Sequence, residues 1–211
     1  MTSSSLVAIA SLDHLVFCMK FFTIGLFALT FQVSLASDDV TEPWNRHAFD
    51  LETGLLWQVG DNTDIDYELV QTQFSWRSPF VFKFDMDGGS TVVIRNHASL
   101  IAAWIKEGPE DYYFAVSGSP SIEWWNAENT SSLYFSIGGG FGVVNSTNAI
   151  GGQGQDFTLN WFMKAGARHQ ISDNFAIFGG PFFQHMSNGG ATTPNPGIDA
   201  LGFTLGASFS F

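Results

Sequence analysis

Apolar and polar side chains alternate without a break at the carboxyl end of the chain. From residue 201 onward the odd positions carry Leu, Phe or Ala, while the even positions carry Gly, Thr or Ser. A period of two is typical of a β-strand whose two faces meet different surroundings. We therefore predict a closing strand over residues 199–211.

Similar alternating segments recur upstream, separated by clusters of Gly, Asn, Asp, Ser and Pro that indicate turns. They are clearest in 157–170, where Phe162 is the one interruption, and in the glycine-rich segment 133–145. The earlier segments are noisier, and Pro79 indicates a bent strand. The pattern predicts about eight strands, the number in the smallest common outer-membrane barrels: residues 49–60, 66–86, 91–106, 111–126, 133–145, 157–170, 173–187 and 199–211.

Composition favours a barrel whose outer surface faces lipid. The chain is 45% hydrophobic and 16% aromatic, whereas only 13% of its residues are charged. That charged fraction is about half the share usual for a soluble globular domain. No apolar run after residue 36 is long enough to cross a bilayer as a helix. Composition alone leaves open a soluble β-sandwich or a lipocalin-like barrel.

The net charge of −12 argues against nucleic-acid binding, which needs a basic surface.

The first 36 residues are interpreted as an extension followed by a secretory signal. Met19 and Lys20 precede an apolar core over 21–31, and Ser34 and Ala36 are small residues suited to a cleavage site. The alternative is one long signal that starts at Met1. Either interpretation predicts a leader over 1–36 and a barrel domain over 37–211. The single cysteine, Cys18, lies in the leader, so we expect no disulfide or cysteine-based metal site in the mature chain.

Three side chains near the end of the chain are of the types found in an acyl-transfer triad. His185 and Ser187 lie two apart on one predicted strand, so both side chains leave the same face. Asp199 opens the next strand at a position in register with Leu201 and Phe203. A serine needs a base to remove its proton, and the base needs an acceptor that fixes its tautomer. If the Phe and Leu positions face lipid, all three candidates face lipid as well.

Topology predicts the height of these residues in the membrane. An even-stranded barrel has both termini in the periplasm, so the loop between its last two strands opens outside the cell. We therefore expect the three candidates at the level of the outer leaflet, where acyl esters of lipid are within reach. Glycines at 189 and 190 of that loop let backbone N–H groups turn toward a developing oxyanion.

A plainer interpretation of these residues remains. A His-x-Ser pair is common by chance, and the segment 188–198 is also an ordinary Gly-, Asn- and Pro-rich loop. His47, His97 and His169 lack metal-ligand spacing, and we interpret them as surface or girdle residues. Six tryptophans are interpreted as members of aromatic belts: Trp57, Trp76, Trp104, Trp124, Trp125 and Trp161.

The same residues resemble a known family, the lipid A 3-O-deacylases (PagL). The resemblance depends on the run Gln184–Gly190, on Pro194–Asp199 and on a closing strand that ends in Phe211. A weaker likeness covers 157–168 and 133–144. The resemblance implies an eight-stranded outer-membrane barrel with a lipid-facing triad of Ser, His and Glu, no metal and no cofactor.

By position, the resemblance implies that His185 is the general base and Ser187 the nucleophile. The backbone around Asn188 and Gly190 would form the oxyanion hole, and Asn195 matches a loop asparagine of the family. The third triad member falls on Asp199, where the family typically has glutamate. Aspartate is one methylene shorter, so it can orient the histidine only if the two strands approach closely.

The function expected from the sequence is removal of the 3-O-linked acyl chain of lipid A in the bacterial outer membrane. The substrate is then lipopolysaccharide, and the other partners are membrane lipids; a homodimer is left open. Two alternatives remain. The first is a non-catalytic structural or surface-interaction barrel, and the second is a barrel that holds a small ligand near Lys164 and Arg168 in its lumen.

Overall fold

The computed structural model describes residues 42–61 and 63–211. The predicted leader, residues 1–36, lies outside the described residues, so its assignment stays a prediction. A short 3₁₀ helix (Pro43–Asn45) leads into eight strands: β1 (Ala48–Gln58), β2 (Glu68–Asp85), β3 (Thr91–Glu107), β4 (Tyr112–Trp125), β5 (Ser131–Val144), β6 (Phe157–Ser172), β7 (Phe175–Ser187) and β8 (Ile198–Ser210).

Each strand pairs antiparallel with its sequence neighbours, and β1 pairs with β8 to close the barrel. The eight predicted strands are confirmed, with ends that differ by a few residues. The irregularity expected at Pro79 is present, because the register between β2 and β3 shifts between Arg77 and Phe80. Among the described residues, no helix is long and apolar enough to cross a membrane.

The outer face of the barrel is apolar. On β8, Phe203 and Leu205 are 69% and 75% exposed, while Thr204 between them is 2% exposed. The odd-numbered side of β7 also points outward, as Phe175 and Ile177 show. Closure of the barrel satisfies the backbone hydrogen bonds between strands, and the apolar exterior suits contact with lipid. The fold is therefore that of an all-β, eight-stranded transmembrane barrel.

The lengths of the connections set the orientation of the barrel. At the end where β1 begins and β8 ends, residues 86–90, 126–130 and 173–174 form short turns. At the opposite end, the connections 59–67, 145–156 and 188–197 are longer, while 108–111 is short. Outer-membrane barrels have short periplasmic turns and longer extracellular loops. The connection between β7 and β8 is thus extracellular.

Phe162 interrupts the polar inner face of β6, and its ring points into the barrel. It is fully buried and stacks on Phe182 of β7, with ring centroids 5.5 Å apart. Gly138 of the adjacent strand provides the space, since a Cβ atom there would lie 2.6 Å from the Phe162 ring. Glycine in the narrow lumen therefore makes room for an aromatic ring.

The lumen also holds a buried network of paired charges. Arg77 reaches Glu123 at 2.9 Å and Asp50 at 3.3 Å, while Arg168 contacts Asp50 at 3.1 Å. Lys164 pairs with Glu52. Each of these charges therefore has an opposite partner, which buried charges require.

This network leaves little space for a ligand. The cavity beside Asp50, Lys164 and Arg168 measures about 10 Å³. Pockets for small molecules usually measure about 300–1,000 Å³. The structure therefore does not favour the ligand-binding alternative at Lys164 and Arg168.

Two residues assigned to the surface from the sequence lie inside the barrel instead. His97 is 6% exposed and hydrogen-bonds through Nε2 to Ser121 Oγ at 2.8 Å. Trp125 is fully buried, and its Nε1–H donates to Glu123 at 3.0 Å. Both interpretations were wrong because the odd positions of β3 and β4 face the lumen.

Candidate active site

The pairing of β7 with β8 brings the three candidate catalytic residues together. His185 lies directly opposite Asp199 in the antiparallel register, and Ser187 follows two residues later on the same face of β7. Residues directly opposite in such a pair have Cβ atoms about 4.5–5.5 Å apart. This short separation explains how an aspartate reaches the histidine without the extra methylene of glutamate.

The imidazole of His185 contacts both partners. Its Nδ1 lies 2.7 Å from Asp199 Oδ1, and its Nε2 lies 3.1 Å from Ser187 Oγ. With the ring proton on Nδ1, that nitrogen donates to the carboxylate and Nε2 accepts from the serine hydroxyl. This arrangement gives a serine an adjacent base and gives the base an orienting acceptor.

The three residues lie on the outer wall at the extracellular end of the barrel. The side chains of His185 and Asp199 are 25% and 18% exposed, and their strand positions alternate with buried ones. Trp161 of β6 is the other cross-strand partner of His185. Its ring stacks on the imidazole with a centroid distance of 6.0 Å and an interplanar angle of 28°.

The loop that follows Ser187 contains the three predicted oxyanion residues. The N–H of Asn188 donates to the side-chain oxygen of Asn195 at 2.9 Å, and the N–H of Gly190 donates to Asn188 Oδ1 at 2.8 Å. Both backbone donors therefore have acceptors inside the loop. In the region that the structure describes, the Asn195 amide nitrogen has no hydrogen-bond partner, so it is the donor that stays available.

Two residues beside the site were not assigned to it from the sequence. Trp161 was interpreted as a belt residue, although its strand register places it next to His185. Gln153 is fully buried below the loop, where its carbonyl accepts from Asn188 Nδ2 at 2.5 Å. The 35-residue separation of these partners leaves no local sequence signal for Gln153.

The described part of the chain offers no obvious metal site. It contains no group of three or more His, Cys, Asp or Glu side chains that could hold a metal ion.

Comparison with known proteins gives the family of this barrel. The family model described as lipid A 3-O-deacylase (PagL) matches residues 26–208. The chain belongs to the PagL family. Membership locates the barrel in the bacterial outer membrane and relates it to hydrolysis of an acyl ester of lipid A. The match begins within the predicted leader, so it leaves the boundary at residue 36 as a prediction.

Three solved structures are similar to this PagL-family barrel at low sequence identity. Neisserial surface protein A is 9% identical, with a TM-score of 0.52 over 78% of this chain and 97% of its own. The outer-membrane enzyme PagL is 15% identical, with a TM-score of 0.49 over 75% and 97% of the two chains. Ail of Yersinia pestis is 15% identical, with a TM-score of 0.35 over 78% and 99%. No curated protein sequence matches the chain.

Proposed function

We propose that this barrel removes the 3-O-linked acyl chain of lipid A with Ser187 as nucleophile, His185 as general base and Asp199 as the residue that orients the base. The observation that supports this assignment is the position of His185 between the other two side chains, at 3.1 Å and 2.7 Å. Such contacts lie within the range required of a nucleophile and its base. Family membership supports the substrate class.

The reaction would proceed through an acyl-enzyme. His185 Nε2 takes the proton of Ser187 as Oγ attacks the ester carbonyl, and the Asp199 carboxylate stabilises the resulting imidazolium. The imidazolium then protonates the departing sugar oxygen, which leaves the acyl chain on Ser187. A water molecule, deprotonated by His185, attacks the acyl-enzyme. Collapse of the second tetrahedral intermediate releases the fatty acid and restores the serine.

We assign oxyanion stabilisation to the loop residues Asn188, Gly190 and Asn195. The Asn195 amide nitrogen is the first donor in this assignment, because its oxygen already accepts from the Asn188 N–H. The N–H groups of Asn188 and Gly190 can contribute through bifurcated hydrogen bonds, to the oxyanion and to their present acceptors. Removal of one such donor typically costs about 3–4 kcal/mol of barrier stabilisation.

The location of the triad fits a lipid substrate. A polar cluster that faces lipid costs about 0–1 kcal/mol near the membrane interface and more at the midplane. The triad lies near the extracellular ends of β7 and β8, where this cost is smallest. The ester bonds of lipid A in the outer leaflet would meet Ser187 from the side, without entry into the barrel.

The alternative of a non-catalytic barrel predicts a carboxylate too distant to orient His185. The separation of 2.7 Å instead supports a competent site, with Asp199 in place of the family's glutamate. The catalytic proposal does not need a homodimer, which the sequence leaves open.

The proposed function is tested by the lipid A of cells that express the barrel. Mass spectra should show loss of one acyl chain with the unaltered protein, and Ser187→Ala should lower the rate by roughly 10⁶-fold. Ser131→Ala is the matched control, because Ser131 also contacts a histidine, His169 Nδ1, at 2.9 Å. Unaltered lipid A, or loss of the chain that survives Ser187→Ala, contradicts the proposal.

A further inference from the structure

A carboxylate is buried among the extracellular loops, away from the triad. Glu110, in the connection between β3 and β4, is 1% exposed. It accepts hydrogen bonds from the Tyr67 hydroxyl at 2.8 Å, the Ser146 hydroxyl at 2.7 Å and the Gln153 N–H at 3.0 Å. Within the described residues it has no cationic partner. A buried carboxylate satisfied only by neutral donors from two other connections indicates a specific role in loop structure.

Tyr67 remains a hydrogen-bond donor under ordinary conditions. Burial, followed by the negative charge of Glu110, raises the pKa of the Tyr67 hydroxyl above its usual value of 10.0. The hydroxyl therefore keeps its proton at neutral pH and continues to donate to Glu110.

Gln153 connects this carboxylate to the loop that follows the proposed nucleophile. Its N–H donates to Ser146 Oγ at 2.5 Å and to Glu110 Oε1 at 3.0 Å. Its carbonyl accepts from Asn188 Nδ2 at 2.5 Å, and its Oε1 accepts from the Gly197 N–H at 3.3 Å. Asn188 directly follows Ser187. Hydrogen bonds thus join all four extracellular connections through one buried set of residues, hereafter the loop network: Tyr67, Glu110, Ser146, Gln153 and Asn188.

The carboxamide of Asn188 shows what the loop network holds in place. Its nitrogen also donates to the Thr192 and Pro194 carbonyls, at 3.0 and 3.1 Å, and its oxygen accepts from the Gly190 N–H at 2.8 Å. The side chain therefore determines the path of the loop that contains the proposed oxyanion donors. Displacement of Gln153 would remove one of the acceptors that hold the Asn188 carboxamide in place.

Close packing leaves the loop network little freedom to adjust. A Cβ atom added at Gly152 would lie 2.6 Å from Glu110 Oε1 and closer still to the Ser146 hydroxyl. Contacts below 3.0 Å cannot be accommodated without a shift of the surrounding atoms. A group held this tightly transmits a displacement at Glu110 to Gln153 and hence to Asn188.

We propose that Glu110 and Gln153 are positioning residues for lipid A deacylation, which fix the loop from Asn188 to Gly197 beside Ser187. This inference depends on the proposed function for its catalytic consequence, although the loop network itself can be tested without catalysis. Neither residue touches the reacting atoms. Their contribution is the geometry of the nucleophile and the oxyanion donors, where a misplacement of about 1 Å can cost about 100-fold in rate.

Three variants separate positioning from general loop stability. Glu110→Ala removes all three acceptor contacts. Glu110→Gln keeps the oxygen that accepts from Ser146 and Gln153, and its amide group can donate to the Tyr67 oxygen. Asn145→Ala is the matched control. Asn145 also joins the connection 108–111 to the connection 145–156, because it accepts from the Asp111 N–H at 2.8 Å, but it is not part of the loop network.

The first measurement is lipid A deacylation by the full-length variants in mixed micelles. Glu110→Ala should lower kcat about 10- to 100-fold with little change in KM, and Glu110→Gln should restore most of this loss. Asn145→Ala should resemble the unaltered protein. The proposal is overturned if Glu110→Ala has an unaltered kcat, or if Asn145→Ala lowers kcat by as much.

The second measurement is amide hydrogen exchange in the folded barrel, which requires no activity. Glu110→Ala should accelerate exchange at the amides of Asn188 and Gly190, whereas Asn145→Ala should not. Unchanged protection in Glu110→Ala overturns the loop network even in an active enzyme. A different result would separate the two proposals: Glu110→Ala loses protection, but the unaltered protein does not deacylate lipid A. This result would contradict the proposed function and the catalytic role of Glu110, while the loop network would stand.

Discussion

Two serine–histidine pairs lie on the outer wall of this barrel, one at each end. At the extracellular end, Ser187 contacts His185 at 3.1 Å. At the periplasmic end, Ser131 contacts His169 at 2.9 Å, and the two residues are cross-strand partners on β5 and β6. The hydroxyl–imidazole contact alone therefore does not distinguish a proposed catalytic site from an ordinary surface contact.

The difference between the pairs lies in what surrounds the imidazole. The strand neighbour of His185 on β8 is Asp199, whereas the strand neighbour of His169 on β7 is Ile177. A carboxylate fixes the tautomer of the base and stabilises its cation, which an aliphatic side chain cannot do. Of the two pairs, only the extracellular one is followed by a long loop with amide donors, residues 188–197 after Ser187. The carboxylate and the loop, rather than the serine and histidine, set the extracellular site apart.

The largest effect on this comparison should come from removal of the carboxylate at the extracellular site. Asp199→Asn keeps the side-chain volume, but its amide favours the wrong histidine tautomer, so kcat should fall about 10⁴-fold. Steady-state hydrolysis of lipid A by the folded barrel measures this loss. Asp199→Glu, the family's usual residue, is the control and should retain far more activity. Equal activity of the Asn and Asp proteins would show that Asp199 does not orient the base.

A smaller effect should come from Trp161, which stacks on His185. Aromatic pairs of this kind contribute about 0.5–1.5 kcal/mol, so Trp161→Ala should lower kcat/KM by about 2- to 10-fold. Trp161→Phe keeps an aromatic ring beside the imidazole and should lose less. The ratio of the two rates measures the contribution of the stacking. A Phe variant that loses as much as the Ala variant would argue against this role.

The smallest effect should come from adding a carboxylate to the periplasmic pair. Ile177→Asp places an acidic side chain across from His169, at a cost of about 0–1 kcal/mol near the membrane interface. No deacylase activity should appear in an Ser187→Ala background, because this end lacks the loop and the outer-leaflet substrate. Mass spectra of lipid A provide the measurement. Activity gained by this substitution would show that a carboxylate alone is sufficient.

Much of the fold follows from local sequence pattern. The period-two alternation predicted all eight strands and the outward direction of His185 and Ser187, because the alternation of faces is a local property of a strand. The same rule could have placed His97 and Trp125 inside, since they share faces with Arg95 and Glu123. The sequence left the reach of Asp199 undecided, because it depends on the register between β7 and β8.

The loop network shows what sequence pattern could not provide. Tyr67 and Glu110 are separated by 43 residues, and Gln153 and Asn188 by 35. Such contacts depend on where the closed barrel brings its loops, and no periodicity marks them. The resting partners of the Asn188 and Gly190 N–H groups were equally unpredictable, since they arise from the folded path of one loop.

The central claim is that Ser187 is an activated nucleophile on the lipid-facing wall. It is tested most directly by reaction of the folded barrel with a fluorophosphonate probe, followed by mass spectrometry of its peptides. We predict covalent label on Ser187 that His185→Ala abolishes, and no label on Ser131. A folded barrel that deacylates lipid A while Ser187 stays unlabelled, or labelling of Ser187 that is unaffected by His185→Ala, would contradict this account.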